Sequence, residues 1–316
     1  MANAKALLII GLTGMAILAS TAYGGAPMGP PMALLGEGRW GLGGEYGHDN
    51  MNLRASGTIR AIYGVGTPTG PVPFDFVEEV SIDDLAMNMF FATVGYGVCD
   101  NWDIFVRVGV SDAGDDAAGR ANIPRVSPSG PIDGDDLIDQ LGVPQCYPLG
   151  SLDSNFGLAW GVGTRATFCR SGPWSFGGLV QATWFKPGDS DIQYTDPLWG
   201  AGVEHVGTAS FDFWQTQVSL AVAYQADNWR LWAGPYLQFV AGDFERDGSI
   251  TFSGVDSGDE FSGSGRLQQE SELGGHFGAD VGLSQQLDVW VEGQVTGDSW
   301  FAGVGLIFRP QETFGM

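Results

Sequence analysis

The chain has 316 residues and a formal net charge of −23 at pH 7, with 14 basic residues against 37 acidic ones. This balance excludes a nucleic-acid partner, because binding a phosphate backbone requires clustered lysine and arginine. The 50 glycines and 11 tryptophans, at a mean hydropathy of +0.02, are unusual for a soluble core and typical of a barrel with an apolar outside and a spacious inside.

The first 24 residues follow the pattern of a secretory signal peptide. Lys5 precedes an apolar run over residues 6–18, and Ala22 and Gly24 are small residues that fit a cleavage site. The run is too short to span a bilayer, and no later run approaches the ~18 apolar residues of a transmembrane helix. We therefore expect an exported chain that crosses no membrane as a helix.

The mature chain is predicted to form one domain. Residues 25–38 are rich in glycine and proline and are predicted to be a flexible N-terminal segment. Residues 39–308 carry the strand patterns, and residues 309–316 form a C-terminal tail. No shift in composition marks a second domain.

Alternation of apolar with small or polar residues at period two runs through residues 39–308. In the last predicted strand Trp300, Val304 and Phe308 share one face, and Gly303 and Gly305 share the other. Three turns of Asp-Asn or Ser-Gly-Pro sequence are each followed by a tryptophan, which suits strands that end at a membrane interface. The turns lie at residues 99–102, 171–174 and 226–229.

Long connections are predicted at about residues 57–76, 112–154, 188–206 and 244–270. Tight turns therefore alternate with long loops, as in barrels with short periplasmic turns and long extracellular loops. With 57–76 as a loop the strand count is about ten, an even number that returns the C-terminus to the periplasm, and counts of eight or twelve stay open.

The end of the chain carries one further motif. Gly303, Leu306 and Phe308 resemble the C-terminal insertion signal of bacterial outer-membrane β-barrel proteins, although that signal usually ends the protein and residues 309–316 follow here. Together with the signal peptide and the Asp-Asn-Trp turns, it makes the whole mature chain resemble such proteins of the small porin-like kind. The resemblance implies an all-β, transmembrane, antiparallel up-and-down β-barrel in the lipid of the bacterial outer membrane.

A secreted β-sandwich is the alternative fold, since it has the same alternation with its faces inverted. The non-apolar face of the predicted strands is dominated by Gly, Ala, Ser, Thr and Gln. A solvent-facing sheet usually carries more Lys and Glu, so this face favours the barrel.

Strand parity directs a set of ionisable side chains into the barrel. Isolated charges inside a small barrel usually pair, which predicts an internal ion-pair network that narrows or plugs the lumen. The alternative is a polar constriction that selects solutes by charge. The residues are Glu45, Arg107, Arg165, Arg230, His276, Asp280 and Glu292.

Two further candidate sites have less specific patterns. Asp133, Asp135 and Asp136 lie in an acidic loop that could gather Ca²⁺, although the spacing is not that of an EF-hand and a solvated loop is the alternative. Cys99 and Cys169 both lie beside predicted periplasmic turns with inward parity and are a candidate disulfide. Their strands are second neighbours, which is beyond bridging distance unless a turn leans inward.

Known barrel enzymes offer one arrangement of residues for comparison. The ten-stranded omptin proteases place acidic residues and a histidine at the outer rim, which directs attention to His205 near Asp196 and Asp212. No nucleophile and base stand at a defined spacing, so we expect no enzyme activity and no cofactor.

The sequence therefore predicts a porin-like passive channel for small solutes. Its inward face of small and polar residues lies beneath acidic loops, which would favour cations. The alternative is a structural or adhesive surface barrel that acts through its acidic extracellular loops and has a plugged lumen.

Overall fold

The computed structural model describes residues 25–63, 72–114, 117–128, 146–152, 154–195, 202–252, 255–269, 273–297 and 299–310. The predicted signal peptide lies outside these residues. No helix among the described residues has the length and hydropathy of a membrane-spanning helix. The described strands are β1 (Trp40–Tyr63), β2 (Val72–Cys99), β3 (Trp102–Ser111), β4 (Ala117–Pro128), β5 (Cys146–Leu152), β6 (Gly157–Ser171), β7 (Trp174–Lys186), β8 (Ser190–Thr195), β9 (Val203–Gln225), β10 (Trp229–Phe252), β11 (Val255–Gln269), β12 (Leu273–Gly282), β13 (Leu287–Val295) and β14 (Ser299–Phe308).

A subset of these strands closes into one antiparallel ring. Leu42 on β1 pairs with Phe308 on β14 and also with Val94 on β2, so the first and last strands of the ring join and leave no free edge. The ring runs β1, β14, β13, β12, β10, β9, β7, β6, β3, β2 and back to β1. The predicted antiparallel barrel of about ten strands is confirmed.

The long-loop end of the barrel is built differently from the prediction. β1 has 24 residues, β2 has 28, β9 has 23 and β10 has 24, so these four strands continue well past their shorter neighbours. β4, β5, β8 and β11 pair along the extensions, with β11 joining β10 to β1. Much of the sequence predicted as loops at 57–76, 112–154, 188–206 and 244–270 is therefore strand, and it prolongs the wall beyond the main ring.

An apolar belt surrounds the ring. On β3 the side chains of Ile104, Val106 and Val108 point outward and are 43%, 55% and 56% exposed. Aromatic rings border this belt at both ends, as in membrane barrels whose aromatic girdles lie at the two interfaces. They include Trp40, Trp102 and Trp174 at the short-turn end and Trp160, Trp184 and Trp214 at the other.

This belt distinguishes a membrane barrel from the soluble alternative. A closed ring whose outward face is apolar has no second sheet to cover that face, so the β-sandwich interpretation is wrong. Past the outer girdle the outward residues become polar, for example His48, Asn88 and Asp112. The short-turn end, where both ends of the ring lie, faces the periplasm in barrels of this type.

The candidate Cys99–Cys169 disulfide is not formed in the structure, in which both residues are free thiols. β3 lies between β2 and β6, which keeps the two strands at second-neighbour separation. A bulge between Thr167 and Cys169 also changes the parity of β6, so that Cys169 is exposed. The Cys99 thiol donates instead to Asn101 Oδ1 over 2.9 Å.

Candidate functional site: the filled lumen

A peptide from the N-terminus occupies the inner half of the barrel. Residues 25–33 and residue 35 are all buried, and we call residues 25–35 the plug segment. Its composition predicted a flexible segment over residues 25–38, and the structure instead places it against the inside wall. The segment forms no helix or strand, so side chains of the wall satisfy its backbone groups.

Asp103 anchors the plug segment at the periplasmic end. Its carboxylate accepts from the backbone N–H of Leu34 over 2.6 Å and from that of Leu35 over 3.2 Å. Arg165 Nε lies 3.4 Å from the same carboxylate, and both side chains are nearly inaccessible. The guanidinium also lies over the ring of Phe105, 5.1 Å from its centroid. A buried charge pair thus fixes two consecutive peptide groups of the plug segment.

Glu292 and Arg107 bind the middle of the plug segment from opposite sides of the peptide. The Glu292 carboxylate accepts from Met28 N over 2.7 Å and from Gly29 N over 2.9 Å. Arg107 Nη1 donates to the Pro27 carbonyl over 2.5 Å. An anion therefore meets the N–H groups and a cation meets a C=O group, the arrangement that favours charge-assisted hydrogen bonds.

Glutamine side chains surround the outer end of the plug segment, and we call them the amide layer. Gln294 Nε2 donates to the Ala26 carbonyl over 2.8 Å, and Gln215 Oε1 accepts from Ala26 N over 2.9 Å. Amide-to-amide hydrogen bonds of 2.5–3.0 Å link the remaining members. The amide layer comprises Gln181, Gln215, Gln217, Gln238 and Gln294.

Glycine provides the space that the plug segment fills. A Cβ on Gly41 would lie 2.8 Å from Leu35 Cδ2, and one on Gly47 would lie 3.1 Å from Pro27 Cγ. The inward glycines thus leave room, and the described occupant of that room is the N-terminal part of the chain itself.

The outer half of the barrel has an apolar interior. Its buried side chains pack into one large cluster that extends from the amide layer into the strand extensions, and they include Met51, Leu53, Met87, Met89, Phe185, Phe211, Phe213, Phe244 and Phe261. The predicted inward face of small and polar residues is therefore wrong for this half. One buried ion pair lies within it, formed by Arg246 and Glu78.

All seven predicted lumen residues point into the barrel. Glu45 lies 3.5 Å from Arg107 Nη1, and Arg230 Nε donates to Asp280 Oδ2 over 2.7 Å. His276 Nε2 lies 3.3 Å from the Leu220 carbonyl. Pairing within the set follows the ion-pair interpretation, while selection of solutes by a charged constriction stays a prediction.

Sequence reasoning missed several residues that hold the plug segment. Asp103 has the same parity as Arg107 on β3, and Gln217 alternates with outward Val218 on β9, so parity alone would have directed both inward. Their partners lie far away in sequence, because Asp103 binds Leu34 at a separation of 69 residues and Gln294 binds Ala26 at a separation of 268. No local pattern reports such a contact.

A cavity of about 570 Å³ opens beside the base of the plug segment. Met32 and Leu34 form one side, and polar residues of the periplasmic turns form the other, among them Arg170, Asp227 and Arg309. Arg309 is held in place by Asp288 Oδ2 at 2.5 Å. The inner mouth of the lumen is therefore wet and polar up to the plug segment.

The remaining candidate sites are the acidic loop and the surroundings of His205. Asp133, Asp135 and Asp136 lie outside the described residues, and the described part of the chain contains no group of three potential metal ligands. His205 is buried and stacks on Tyr194 at 4.7 Å, whereas Asp212 points outward to Trp184. These two side chains of β9 therefore lie on opposite faces and do not meet, and Asp196 is outside the described residues.

No protein-family model and no curated protein matches the chain. Its similarity to solved structures is one of shape at low identity. Outer membrane protease OmpT from Escherichia coli is 7% identical with a TM-score of 0.42, covering 85% of this chain and 97% of that one. Toluene transporter TbuX from Ralstonia pickettii is 12% identical with a TM-score of 0.34, covering 92% and 97%. OprG from Pseudomonas aeruginosa is 11% identical with a TM-score of 0.31, covering 87% and 98%.

OmpT and OprG are outer-membrane proteins by name. Independently of these similarities, the closed ring with its apolar belt and two aromatic girdles has the architecture of a transmembrane β-barrel. The chain is a transmembrane β-barrel by its own geometry. With TM-scores below 0.5, the activities of OmpT, TbuX and OprG are not transferred to it.

Proposed function

We propose that the protein is an outer-membrane channel for small solutes that is closed in the described state by its own plug segment. The supporting observation is that glycines line the wall of the inner lumen, and that the space they leave is filled by the plug segment and not by side chains of the wall. Large side chains on the wall would have filled the same space permanently. The wall side chains that bind the plug segment are charged groups or amides. Water can therefore replace the plug segment as their hydrogen-bond partner when the segment leaves.

A cation preference belongs to the same proposal. Exposed acidic side chains line the strand extensions on the extracellular side, including Glu79, Asp191, Asp243, Glu245 and Asp247. A negative surface at the mouth of a pore raises the local concentration of cations. The reversal potential in a salt gradient measures this preference once the pore conducts.

The second candidate is a surface barrel that acts through its extracellular extension with a permanently closed lumen. The apolar packing of the outer half favours it, because hydrated solutes do not pass between packed methionine and phenylalanine side chains without a rearrangement.

Planar-bilayer conductance distinguishes the two candidates. We expect the intact mature protein to show little conductance. A variant that lacks residues 25–35 and also carries Met87→Ala and Phe213→Ala in the outer half should show resolvable channel steps, since both halves of the lumen then open to water. Heat-modifiable migration on a gel confirms that the variant is a folded barrel. A folded variant that stays silent would exclude the channel and favour the surface barrel.

A further inference from the structure

Asp49 is a buried carboxyl group that no basic side chain of the described residues is seen to pair with. It lies on β1, points into the barrel and has 0% exposure. Neither of its oxygens accepts a well-formed hydrogen bond, the backbone N–H of Asn50 being the donor nearby, and Gln181 Oε1 in the amide layer is a further buried acceptor without one. A buried carboxylate is costly, so this group either takes up a proton or binds a cation.

The plug segment reaches the amide layer at its first described residue, Gly25, which lies against Gln217 and Gln238. Leu35 packs at Gly41 and Pro27 lies near Gly47, further along β1, so the segment rises through the lumen toward the extracellular side. The next inward position of β1 after Gly47 is Asp49. The next plug residues after Pro27 are Ala26 and Gly25, so the segment reaches the level of the Asp49 carboxyl group.

Register places Asp49 two strands away from Gln294, a member of the amide layer. Asp49 pairs with Phe301 on β14, and Phe301 pairs with Gln294 on β13. Gln294 is the residue that donates to the Ala26 carbonyl. Just outside this level the apolar cluster of the outer half begins with Met51 and Met87, which offers no polar partner for a longer peptide.

Cleavage of the predicted signal peptide would supply a cation. Water adds across the amide bond, the leader leaves with the new carboxylate, and the mature chain keeps an α-amino group that binds a proton at neutral pH. Cleavage after Gly24 places this group on Gly25, and cleavage after Ala22 places it two residues earlier.

We propose that the α-ammonium group of the processed chain binds inside the barrel at the amide layer, with Asp49 as its counter-ion. It brings three donors to a layer in which acceptor atoms of Asp49 and Gln181 lack well-formed hydrogen bonds. The inference rests on the position of Gly25 and on cleavage of the predicted signal peptide, and does not depend on whether the barrel conducts.

Amine chemistry tests the proposal with an internal control. Lys186 is the only lysine after residue 24, and its side chain is 56% exposed. In the folded mature barrel we expect an amine-reactive label to modify the α-amine at least about tenfold more slowly than Lys186, because reaction requires the segment to open. Both amines should react in the unfolded chain. Mass spectrometry reads both positions and identifies the first residue of the mature chain.

Two variants test the role of Asp49. Asp49→Asn should increase labelling of the α-amine several-fold relative to Lys186, whereas Asp112→Asn, on the outward surface at a similar level, should leave the ratio unchanged. An α-amine that reacts as fast as Lys186 in the folded wild type would overturn the proposal. So would equal ratios in the two variants, or a mature chain that starts before Tyr23 or after Gly25.

Discussion

Replacing Asp103 with alanine is expected to lower the free energy of unfolding by about 3–5 kcal/mol, the cost of breaking a buried ion pair from one side. The change leaves the buried Arg165 guanidinium without its carboxylate and frees the N–H groups of Leu34 and Leu35. Urea unfolding in detergent micelles or lipid vesicles, followed by tryptophan fluorescence, measures the loss.

A matched control exists on the outside of the barrel. Asp75 also pairs with an arginine, Arg60, at 3.4 Å, but both side chains are largely exposed. Asp75→Ala should therefore cost only about 0–1 kcal/mol, because water screens exposed pairs. If Asp103→Ala costs no more than Asp75→Ala, Asp103 does not anchor the plug segment.

Replacing Trp290 with alanine should also cost about 3–5 kcal/mol, since it removes a large buried aromatic side chain and leaves a cavity. The indole is 1% exposed and packs into a small cluster with Met32 of the plug segment and Ile307 of β14. It also contacts the backbone of Gly305 and lies beside Gly29. The same urea titration measures the loss, and the plug segment should become more mobile in the variant.

Trp174→Ala is the control for Trp290→Ala. Trp174 lies in the periplasmic girdle and is 53% exposed. Its removal creates no enclosed cavity, so we expect a clearly smaller loss of stability. Equal losses for the two variants would mean that Trp290 does not join the wall to the plug segment.

Parity explains why much of the wall could be predicted from the sequence. A strand alternates faces at every residue, so Arg107 and Glu292 are directed inward as soon as their apolar neighbours are assigned to lipid. The closing strand at residues 300–308 follows the same rule, and its pairing with β1 confirms that the sheet closes there. Short-range turn chemistry likewise located the periplasmic ends of the strands.

The contents of the lumen could not be predicted in the same way. The plug segment is ordered by contacts with side chains 69 to 268 residues away, and its glycines and prolines indicate only that it forms no regular structure. The strand extensions were missed because glycine and acidic residues in 244–270 are typical of loops. There, tertiary pairing of β10 with β11 outweighs local propensity.

Hydrogen exchange of residues 25–35 tests most directly whether the N-terminus fills the barrel. The N–H groups of Ala26, Met28, Gly29 and Leu34 are bound to side chains of the wall. We expect these amides to exchange at least about a hundredfold more slowly in the folded mature protein than in the unfolded chain, because exchange requires the segment to leave the lumen. Exchange of residues 25–35 at the unfolded rate, while β1 stays protected, would contradict a plugged lumen.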